Sequence, residues 1–309
     1  MAPLLTRKRQ IEVKTEATKG TAETTALVDA LVSDFTLPGP AIFQQRLGSG
    51  TTLGNQVPGT PDGPRVSTCT LTTELRIAST PLLEPAVSAL FLACGAKIAT
   101  ATYSPTSIYA TMETCTIRFF EDGRMKVLRG CMGNCTISGN SGERVFLNFE
   151  MQGVWGAPTD VALPTPTYGT EKVIKMDNSS GSFKLATVAK RIGSFEFNLG
   201  NNVVPLLDVG ADGGVAHMMI TDRDPTMTFD IEADTVAGHD THGDWLAGTE
   251  QALELIVTNG TRTATIAALK FQYRDVPDGD RDGTITDDIT GQCNVNAATG
   301  DDEWSIVVA

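Results

Sequence analysis

The chain has 309 residues, of which 41% are hydrophobic and 20% are charged, and its formal net charge is −13. No apolar run approaches the roughly 20 residues of a membrane span. The acidic balance argues against a protein that reads DNA or RNA, because acidic surfaces repel nucleic-acid phosphate.

The N-terminus and the cysteines predict a protein that is kept in a cytoplasm. Arg7, Lys8 and Arg9 follow a short apolar piece, whereas a secretory signal is basic first and then apolar for about 7 to 15 residues. The six cysteines lie mostly within apolar strand or helix patterns. A buried free thiol behaves as a small hydrophobe in a reducing compartment.

The first half of the sequence predicts a β domain with one helix. Strands are predicted at residues 10–16, 29–37 and 66–77. The helix begins at Thr80-Pro81 or at Glu84-Pro85 and ends before Gly95, where a C′ glycine belongs. Its apolar stripe consists of Leu83, Val87, Leu90, Phe91 and Cys94.

Residues 38–64 form a long loop rich in glycine and proline between two of these strands. It carries apolar side chains at Ile42, Phe43, Leu47 and Leu53. A loop of this length inside a compact domain is uncommon and usually serves an interaction. We therefore identify these four residues as candidates for self-assembly contacts.

Residues 108–156 predict four consecutive strands, and Glu121-Asp122-Gly123-Arg124 is the strongest turn signal in the chain. Asp-Gly between apolar runs favours a type I′ hairpin, because that turn needs positive φ at both central residues. Further tight turns are predicted at residues 130–134 and 139–142. The strand that follows alternates Val145, Leu147, Phe149 and Met151 with polar positions, which is typical of a sheet with one buried face.

Residues 156–170 predict a linker, because they contain three prolines and have no periodicity. The linker divides the chain into a first β domain, residues 1–165, and a second, residues 166–309. The first carries 14 basic and 14 acidic residues, while the second carries 10 and 23. The acidic half is interpreted either as a solubilising surface or as a surface that a polyanion crosses without adhering.

The second half repeats the element order of the first. Residues 226–231 resemble residues 67–72, and Asp244-Trp245-Leu246-Ala247 predicts a shortened helix. An Asn259-Gly260 hairpin then joins strands at 253–257 and 263–271, and 303–308 alternates as a final strand. Element order and turn type together indicate a duplication.

One acidic loop has the beginning of a calcium-binding pattern. Asp278, Asp280 and Asp282 precede Gly283 with the spacing D-x-D-x-D-G, but the twelfth position is Ile289 instead of a bidentate Glu. The flanks predict strands instead of helices. A solvated acidic loop is the favoured interpretation, and calcium binding is the alternative.

Other candidate sites are weaker. Cys131 and Cys135 have C-x3-C spacing across the predicted turn, which suits a zinc site only if a second pair exists; buried thiols are favoured. His239 and His242 flank Asp240, and His217 is the third histidine. A polar turn is favoured over a metal site there, since no third ligand is defined. No pattern of catalytic or cofactor-binding residues is found.

Several of these segments resemble the major tail tube proteins of long, non-contractile-tailed bacteriophages. The resemblance rests on the opening strand 11–16 with Lys19-Gly20-Thr21, and on the strand-helix segment 67–95. It also rests on the hairpin at 120–123 leading to Gly130-Cys131-Met132-Gly133-Asn134, and on Gly153-Val154-Trp155-Gly156. In the second half, residues 281–285 are similar to a pattern in the C-terminal parts of such proteins.

The resemblance implies a mainly β protein with two tandem tail-tube-like sandwich or barrel domains, each with a flanking helix. It implies a structural virion protein that assembles into stacked rings, surrounds a tape-measure protein, meets tail-end proteins and later conducts DNA without binding it specifically. Most family members have one tube domain. Two domains per chain therefore predict a ring of three chains with pseudo-sixfold symmetry.

A carbohydrate-binding, adhesin-like or decoration β-sandwich is the alternative function. Three Trp and four Tyr are few for sugar-stacking platforms. The tail tube interpretation needs no catalytic residue, cofactor or membrane.

Overall fold

The protein is mainly β in a computed structural model, with 55% of its residues in strands and 6% in helices. The structure describes residues 4–37, 39–40, 42–50, 53–54, 56–177 and 182–309. Within these ranges no helix is long and apolar enough to cross a membrane. The predicted fold class is confirmed.

The first half contains eleven strands and one helix among its described residues. They are β1 (Arg9–Thr15), β2 (Val28–Asp29), β3 (Val32–Thr36), β4 (Phe43–Leu47), β5 (Gln56–Pro61), β6 (Val66–Glu74), α1 (Pro85–Ala93), β7 (Ala96–Ala99), β8 (Thr102–Pro105), β9 (Cys115–Glu121), β10 (Arg124–Asn140) and β11 (Phe146–Asp160).

The second half likewise contains eleven strands and one α-helix in the part that the structure describes. They are β12 (Ser182–Leu185), β13 (Val188–Lys190), β14 (Ile192–Asn198), β15 (Asn201–Leu207), β16 (Val215–Arg223), β17 (Thr226–Glu232), α2 (Thr241–Ala247), β18 (Glu250–Thr258), β19 (Thr263–Asp275), β20 (Asp278–Arg281), β21 (Thr284–Cys293) and β22 (Ser305–Val308).

The two halves pair their strands in the same order. In the first half the neighbours run β3–β6–β11–β10–β9–β1. In the second half they run β14–β17–β21–β19–β18–β12. Each half also has a hairpin inserted between the first two strands of this order, β4–β5 in one and β15–β16 in the other. The predicted repetition of elements therefore extends to the topology.

The repetition can be followed at single rows of residues, although the β10–β11 and β19–β21 ladders have their register shifts at different places. In the first half one row across three neighbouring strands consists of Met132, Gln152 and Thr68. The equivalent row of the second half consists of Gln272, Gln292 and Thr226. Thr226 thus corresponds to Thr68, so the sequence comparison that placed Thr226 beside Ser67 was wrong by one residue. A shift of one residue exchanges the two faces of a strand, and only the observed register keeps both cores apolar.

Strands β10 and β14 join the two halves. Residues 136–140 of β10 pair antiparallel with residues 198–194 of β14, and β22 of the second half pairs with β8 of the first. One apolar core continues through both halves and contains most of the buried side chains. The division into domains 1–165 and 166–309 stays a prediction.

The predicted turn at residues 130–134 is wrong, because β10 continues through it to Asn140. Gly130 has φ +59° and lies where the register shifts against both neighbouring strands. Glycine adopts this backbone without strain, so the strand absorbs an extra residue as a bulge and does not reverse. Cys131 and Cys135 therefore lie on one strand, and both are buried free thiols.

Other local predictions are confirmed. Asp122 and Gly123 both have positive φ, 43° and 105°, as the hairpin between β9 and β10 requires. Helix α1 begins at Pro85, and Gly95 beyond its end has φ +79°. The predicted strand 29–37 is divided into β2 and β3.

The predicted linker begins too early in the sequence. β11 continues to Asp160, and Gly156, Thr159 and Asp160 pair with β10. Pro158 lies within a register shift between the pairs Val127–Gly156 and Met125–Thr159. A bulge is one of the few places where a sheet accommodates proline, which has no N–H to donate.

A buried carboxylate ties the bulge to the rest of the first half. Glu16 follows β1 and accepts hydrogen bonds from the backbone of Gly20 and Gly130, each at 2.7 Å. It also accepts from the hydroxyls of Thr114 and Thr116, at 2.7 and 2.8 Å. Four donors thus depend on one side chain.

We expect Glu16→Ala to lower the free energy of unfolding by about 2–4 kcal/mol, because it leaves several buried donors without an acceptor. Urea denaturation measures this change. Glu150→Ala is the matched control, since Glu150 is exposed on β11, and its effect should be within about 0.5 kcal/mol. Equal stability of the two variants would contradict a structural role for Glu16.

Candidate assembly surfaces

Eight strands from both halves form one continuous sheet with a polar face. Their order is β3–β6–β11–β10–β14–β17–β21–β20. Core-facing positions such as Leu71, Phe149 and Phe229 are buried. The opposite face carries hydroxyl, amide and acidic side chains: Thr68, Thr70, Thr72, Asn148, Glu150, Gln152, Glu196, Thr226, Thr228, Thr290 and Gln292.

Side-chain hydrogen bonds follow this polar face across the join between the halves. The Thr72 hydroxyl donates to Asn148 Oδ1 at 2.9 Å. Asn134 Nδ2 donates to Asn198 Oδ1 at 2.8 Å, and this bond links β10 to the end of β14. The face is therefore one surface and not two separate ones.

The eight-stranded sheet ends in two strands that each have one neighbour. Among the ladders of the described residues, β3 pairs with β6 alone and β20 pairs with β21 alone. An unpaired strand edge presents backbone N–H and C=O groups that another chain can pair with. Both edges are candidate surfaces for assembly.

The β4–β5 hairpin exposes apolar side chains. Phe43, Leu47 and Leu53 are largely exposed, with 72% of Leu47 accessible to solvent. Ile42 is half-buried, and its carbonyl accepts from Asp62 N at 2.7 Å. Pro38, Ala41, Thr51, Thr52 and Asn55 of the predicted loop 38–64 lie outside the described residues. The structure thus places all four candidate residues in or beside one projecting hairpin.

The corresponding hairpin of the second half, β15–β16, packs on the first half instead. Val215 and Met218 of β16 are buried against Met132 and Val154 and form a second apolar cluster. Arg65 pairs with Asp212 at the hairpin tip. This hairpin is not among the elements predicted from the sequence, although two apolar runs flanking Gly213-Gly214 are a usable hairpin signal.

His217 of β16 completes this contact. Its Nε2 lies 2.7 Å from the hydroxyl of Tyr109, and the Lys19 ammonium lies 4.4 Å from the centre of the Tyr109 ring. Burial first, and then the nearby Lys19 charge, lower the pKa of His217. The structure therefore places His217 in a packing contact with Tyr109, whereas His239 contacts Tyr273.

Arg223, at the end of β16, anchors the hairpin to the C-terminal segment. Its guanidinium pairs with Asp301 at 2.6 Å and with Glu303 at 3.0 Å. Asp301 also accepts from Ser107 N at 2.9 Å. Burial acts to raise the pKa of Asp301, but the bonds from Ser107 and Arg223 outweigh it and the pKa is lowered.

The metal candidates from the sequence lie in ordinary structural positions. Asp278 and Asp280 are in β20, and Asp282 has φ +53° in the turn to β21. Asp280 Oδ1 accepts from Gly283 N at 3.1 Å, as in a capped turn. In the part of the chain that the structure describes, no group of three or more His, Cys, Asp or Glu side chains is placed to hold a metal ion.

Each of the remaining candidates has its own structural contact. Asp240 accepts from Gly243 N at 2.8 Å and caps α2, in which His242 lies. His239 Nε2 lies 3.4 Å from the hydroxyl of Tyr273. The predicted polar turn before Trp245 is thus the beginning of a short helix.

Comparison with known proteins shows the family of this chain. The family model described as phage tail tube protein matches residues 6–293. The chain belongs to the phage tail tube protein family. The match spans both halves, so the resemblance found in the sequence is confirmed over most of its length. Among curated proteins, no sequence is similar enough to be counted as a relative.

As a tail tube protein, the chain is a structural component of a virion tail. Membership in this family favours the tail tube interpretation over the carbohydrate-binding alternative. The exposed β4–β5 hairpin and the two sheet edges are the candidate surfaces for contact with further copies.

We expect Asp301→Asn to lower the free energy of unfolding by about 1–3 kcal/mol at neutral pH, because Arg223 loses a charged acceptor. Asn tolerates the positive φ of 61° at this position. A carboxylate with a lowered native-state pKa stabilises the fold above its ordinary pKa near 4, and this stabilisation is lost as the pH falls through the native value. The difference between wild type and variant should therefore shrink below about pH 4.

Urea denaturation at several pH values measures this difference. Asp282→Asn is the matched control, because Asp282 also has positive φ but lies in an exposed turn. A difference between wild type and Asp301→Asn that does not change with pH would contradict the role given to the carboxylate.

Proposed function

We propose that this protein assembles into stacked rings that form the phage tail tube, the conduit through which DNA leaves the virion. The continuous eight-stranded sheet is the observation that supports this proposal. In it the four strands of the second half continue the sheet of the first half through backbone pairing, in the same strand order. Further copies added to the two open edges in the same way extend the sheet into a closed wall. Closure of a sheet on itself removes its edges.

Each ring contains three chains. Every half supplies four strands to the sheet, in equivalent positions. A ring of six equivalent domains therefore needs three chains and has pseudo-sixfold symmetry. The tandem domains 1–165 and 166–309 alternate around it, joined by the segment after Asp160.

The polar face of the sheet lines the channel. Its hydroxyl and amide groups are uncharged, its Arg281 is paired with Asp230 and Glu232, and its acidic residues repel phosphate. DNA then passes without specific binding. The same channel surrounds the tape-measure protein while the tail is built in the host cytoplasm, and tail-end proteins close it.

The β4–β5 hairpin contacts a neighbouring copy. Its counterpart β15–β16 packs on the first half of its own chain and buries Val215 and Met218 there. Leu269 in β19 and Val295 after β21 are exposed on the surface of the second half. The apolar side chains of β4–β5 are buried on that surface of the next copy.

The first test is electron microscopy with native mass spectrometry on the purified full chain. We expect rings or tubes whose repeating unit has the mass of three chains. Rings of six full-length chains would overturn the threefold arrangement, while stable monomers at high concentration would overturn the tube function.

The second test replaces exposed apolar residues of the hairpin. We expect Leu47→Ser with Leu53→Ser to leave the thermal unfolding temperature unchanged but to abolish tubes, because the variant loses apolar area that only assembly buries. Deletion of residues 47–61 should act in the same way. Val188→Ser with Val236→Ser is the control, since both valines are exposed outside the hairpin. Tubes of normal length from the Leu47/Leu53 variant would contradict the role of the hairpin.

A further inference from the structure

The join between β10 and β14 shows how one domain follows another. Leu199 N donates to Cys135 O at 3.1 Å and Ser141 N donates to Gly193 O at 2.7 Å. Pairing alternates along an antiparallel ladder, so Phe195 and Phe197 exchange backbone hydrogen bonds with β10. The intervening pairs, Ser138–Glu196 and Asn140–Ser194, are non-hydrogen-bonded, and their side chains approach more closely.

Strand β3 occupies the place of β14 in the first half. Phe195 lies opposite Phe229 in the second half, and Phe35 lies opposite Leu71 in the first. The β14–β17 ladder has a register shift directly before this pair, and the β3–β6 ladder has one just before the preceding pair, Asp34–Thr72. Leu37 therefore corresponds to Phe197, and Asp34 corresponds to Ser194.

Strand β20 occupies the place of the end of β10 in the second half. Ser138 lies opposite Phe146, and Gly279 lies opposite Thr286. The hairpins that follow both turn at a glycine of positive φ, Gly142 at 84° and Gly283 at 85°. Arg281 consequently corresponds to Asn140.

The core-facing side chains of β3 are less buried than those of β14, as expected for a strand that has a neighbour on one side only. Phe195 and Phe197 are buried, 3% and 0% exposed. Phe35 and Leu37 are half-buried and line an apolar groove with Leu4. In this register the Phe35 N–H points away from β6. It donates to the side-chain Oδ1 of the adjacent Asp34 at 2.8 Å.

Charge complements shape at the two edges. The Arg9 guanidinium lies 4.3 Å from the centre of the Phe35 ring, and Arg124 lines the same groove, where it pairs with Glu121 at 2.8 Å. The exposed acids of β20, Asp278 and Asp280, would face this groove in the register of β10 and β14. Opposite charges on the two partner surfaces favour this pairing over one between identical edges.

We infer that β3 of one copy pairs antiparallel with β20 of a second copy, with Asp34 opposite Arg281 and Thr36 opposite Gly279. The inference rests on the proposed ring function and names the segments that join its chains. The two surfaces differ, so the contact is head-to-tail, and it generates a ring when the rotation from one copy to the next closes. Arg281 already pairs with Asp230 at 2.8 Å, and Asp34 extends this ion pair across the interface.

Disulfide cross-linking between copies tests the register. Thr36→Cys and Gly279→Cys are made in separate chains, which are then mixed and oxidised. All six native thiols are buried, and burial raises the pKa of Cys94, Cys131 and Cys135 well above its usual range. The introduced cysteines are therefore the reactive ones.

We expect the mixture to form a covalent dimer at least about tenfold more than either variant alone, because a non-hydrogen-bonded pair brings the sulfur atoms within bonding reach. A side chain at Gly279 displaces the Asp288 carboxylate and the Thr286 hydroxyl. Asp34→Cys with Arg281→Cys is therefore the second pair. The control is Thr36→Cys with Asp278→Cys, whose side chains lie on opposite faces of the sheet and should not cross-link.

Electron microscopy of the wild-type protein distinguishes a failure of the inferred strand pairing from a failure of the proposed function. Rings or tubes without a cross-link in either pair would overturn the inferred pairing and leave the proposed function standing. A cross-link within a single variant would also overturn it, since that indicates a twofold contact. Absence of rings, tubes and cross-links would overturn the inference and the proposed function together. A chain carrying both Thr36→Cys and Gly279→Cys should give a covalent series that ends at three chains.

Discussion

The ladder between β10 and β14 is the contact on which the arrangement of this protein depends. It joins the two halves through backbone hydrogen bonds, so the second half begins where the sheet of the first half ends. It also buries Phe195 and Phe197 beneath the end of β10. Because backbone pairing fixes direction and register together, the polar face continues from one half to the other without a step.

The same ladder explains why the two halves are similar in topology and different at their surfaces. β14 has a neighbour on each side, while β3 has one within the described residues. Phe35 and Leu37 are consequently less buried than their counterparts. The hairpins follow the same rule: β15–β16 of the second half packs on the first half, whereas β4–β5 of the first half projects with Leu47 exposed. A single chain therefore contains one complete contact of this kind, between β10 and β14. At the two ends of the sheet, β3 and β20 each have no second neighbour among the described residues.

Much of the fold could be predicted from local chemistry. Asp122-Gly123 predicts a hairpin because few residues accept positive φ at two successive positions. The alternation from Val145 to Met151 predicts a strand with one buried face, and the stripe ending before Gly95 predicts α1. Gly130 was misinterpreted because a glycine of positive φ serves a bulge as well as a turn. The tertiary partners of Gly130 decide between the two, and the buried Glu16 carboxylate is one of them.

The sequence by itself determined the strand-rich class, the duplicated order of elements, the acidic second half and the exposed apolar residues of the 38–64 region. Only the tertiary structure decided that β10 pairs with β14, that β15–β16 packs on the first half, and that Asp301 holds Arg223. The physical reason is that ladders between distant strands use backbone groups that nearly every residue possesses. Side-chain patterns identify which face of a strand is buried, but the neighbour of that strand is selected by the packing of the whole core.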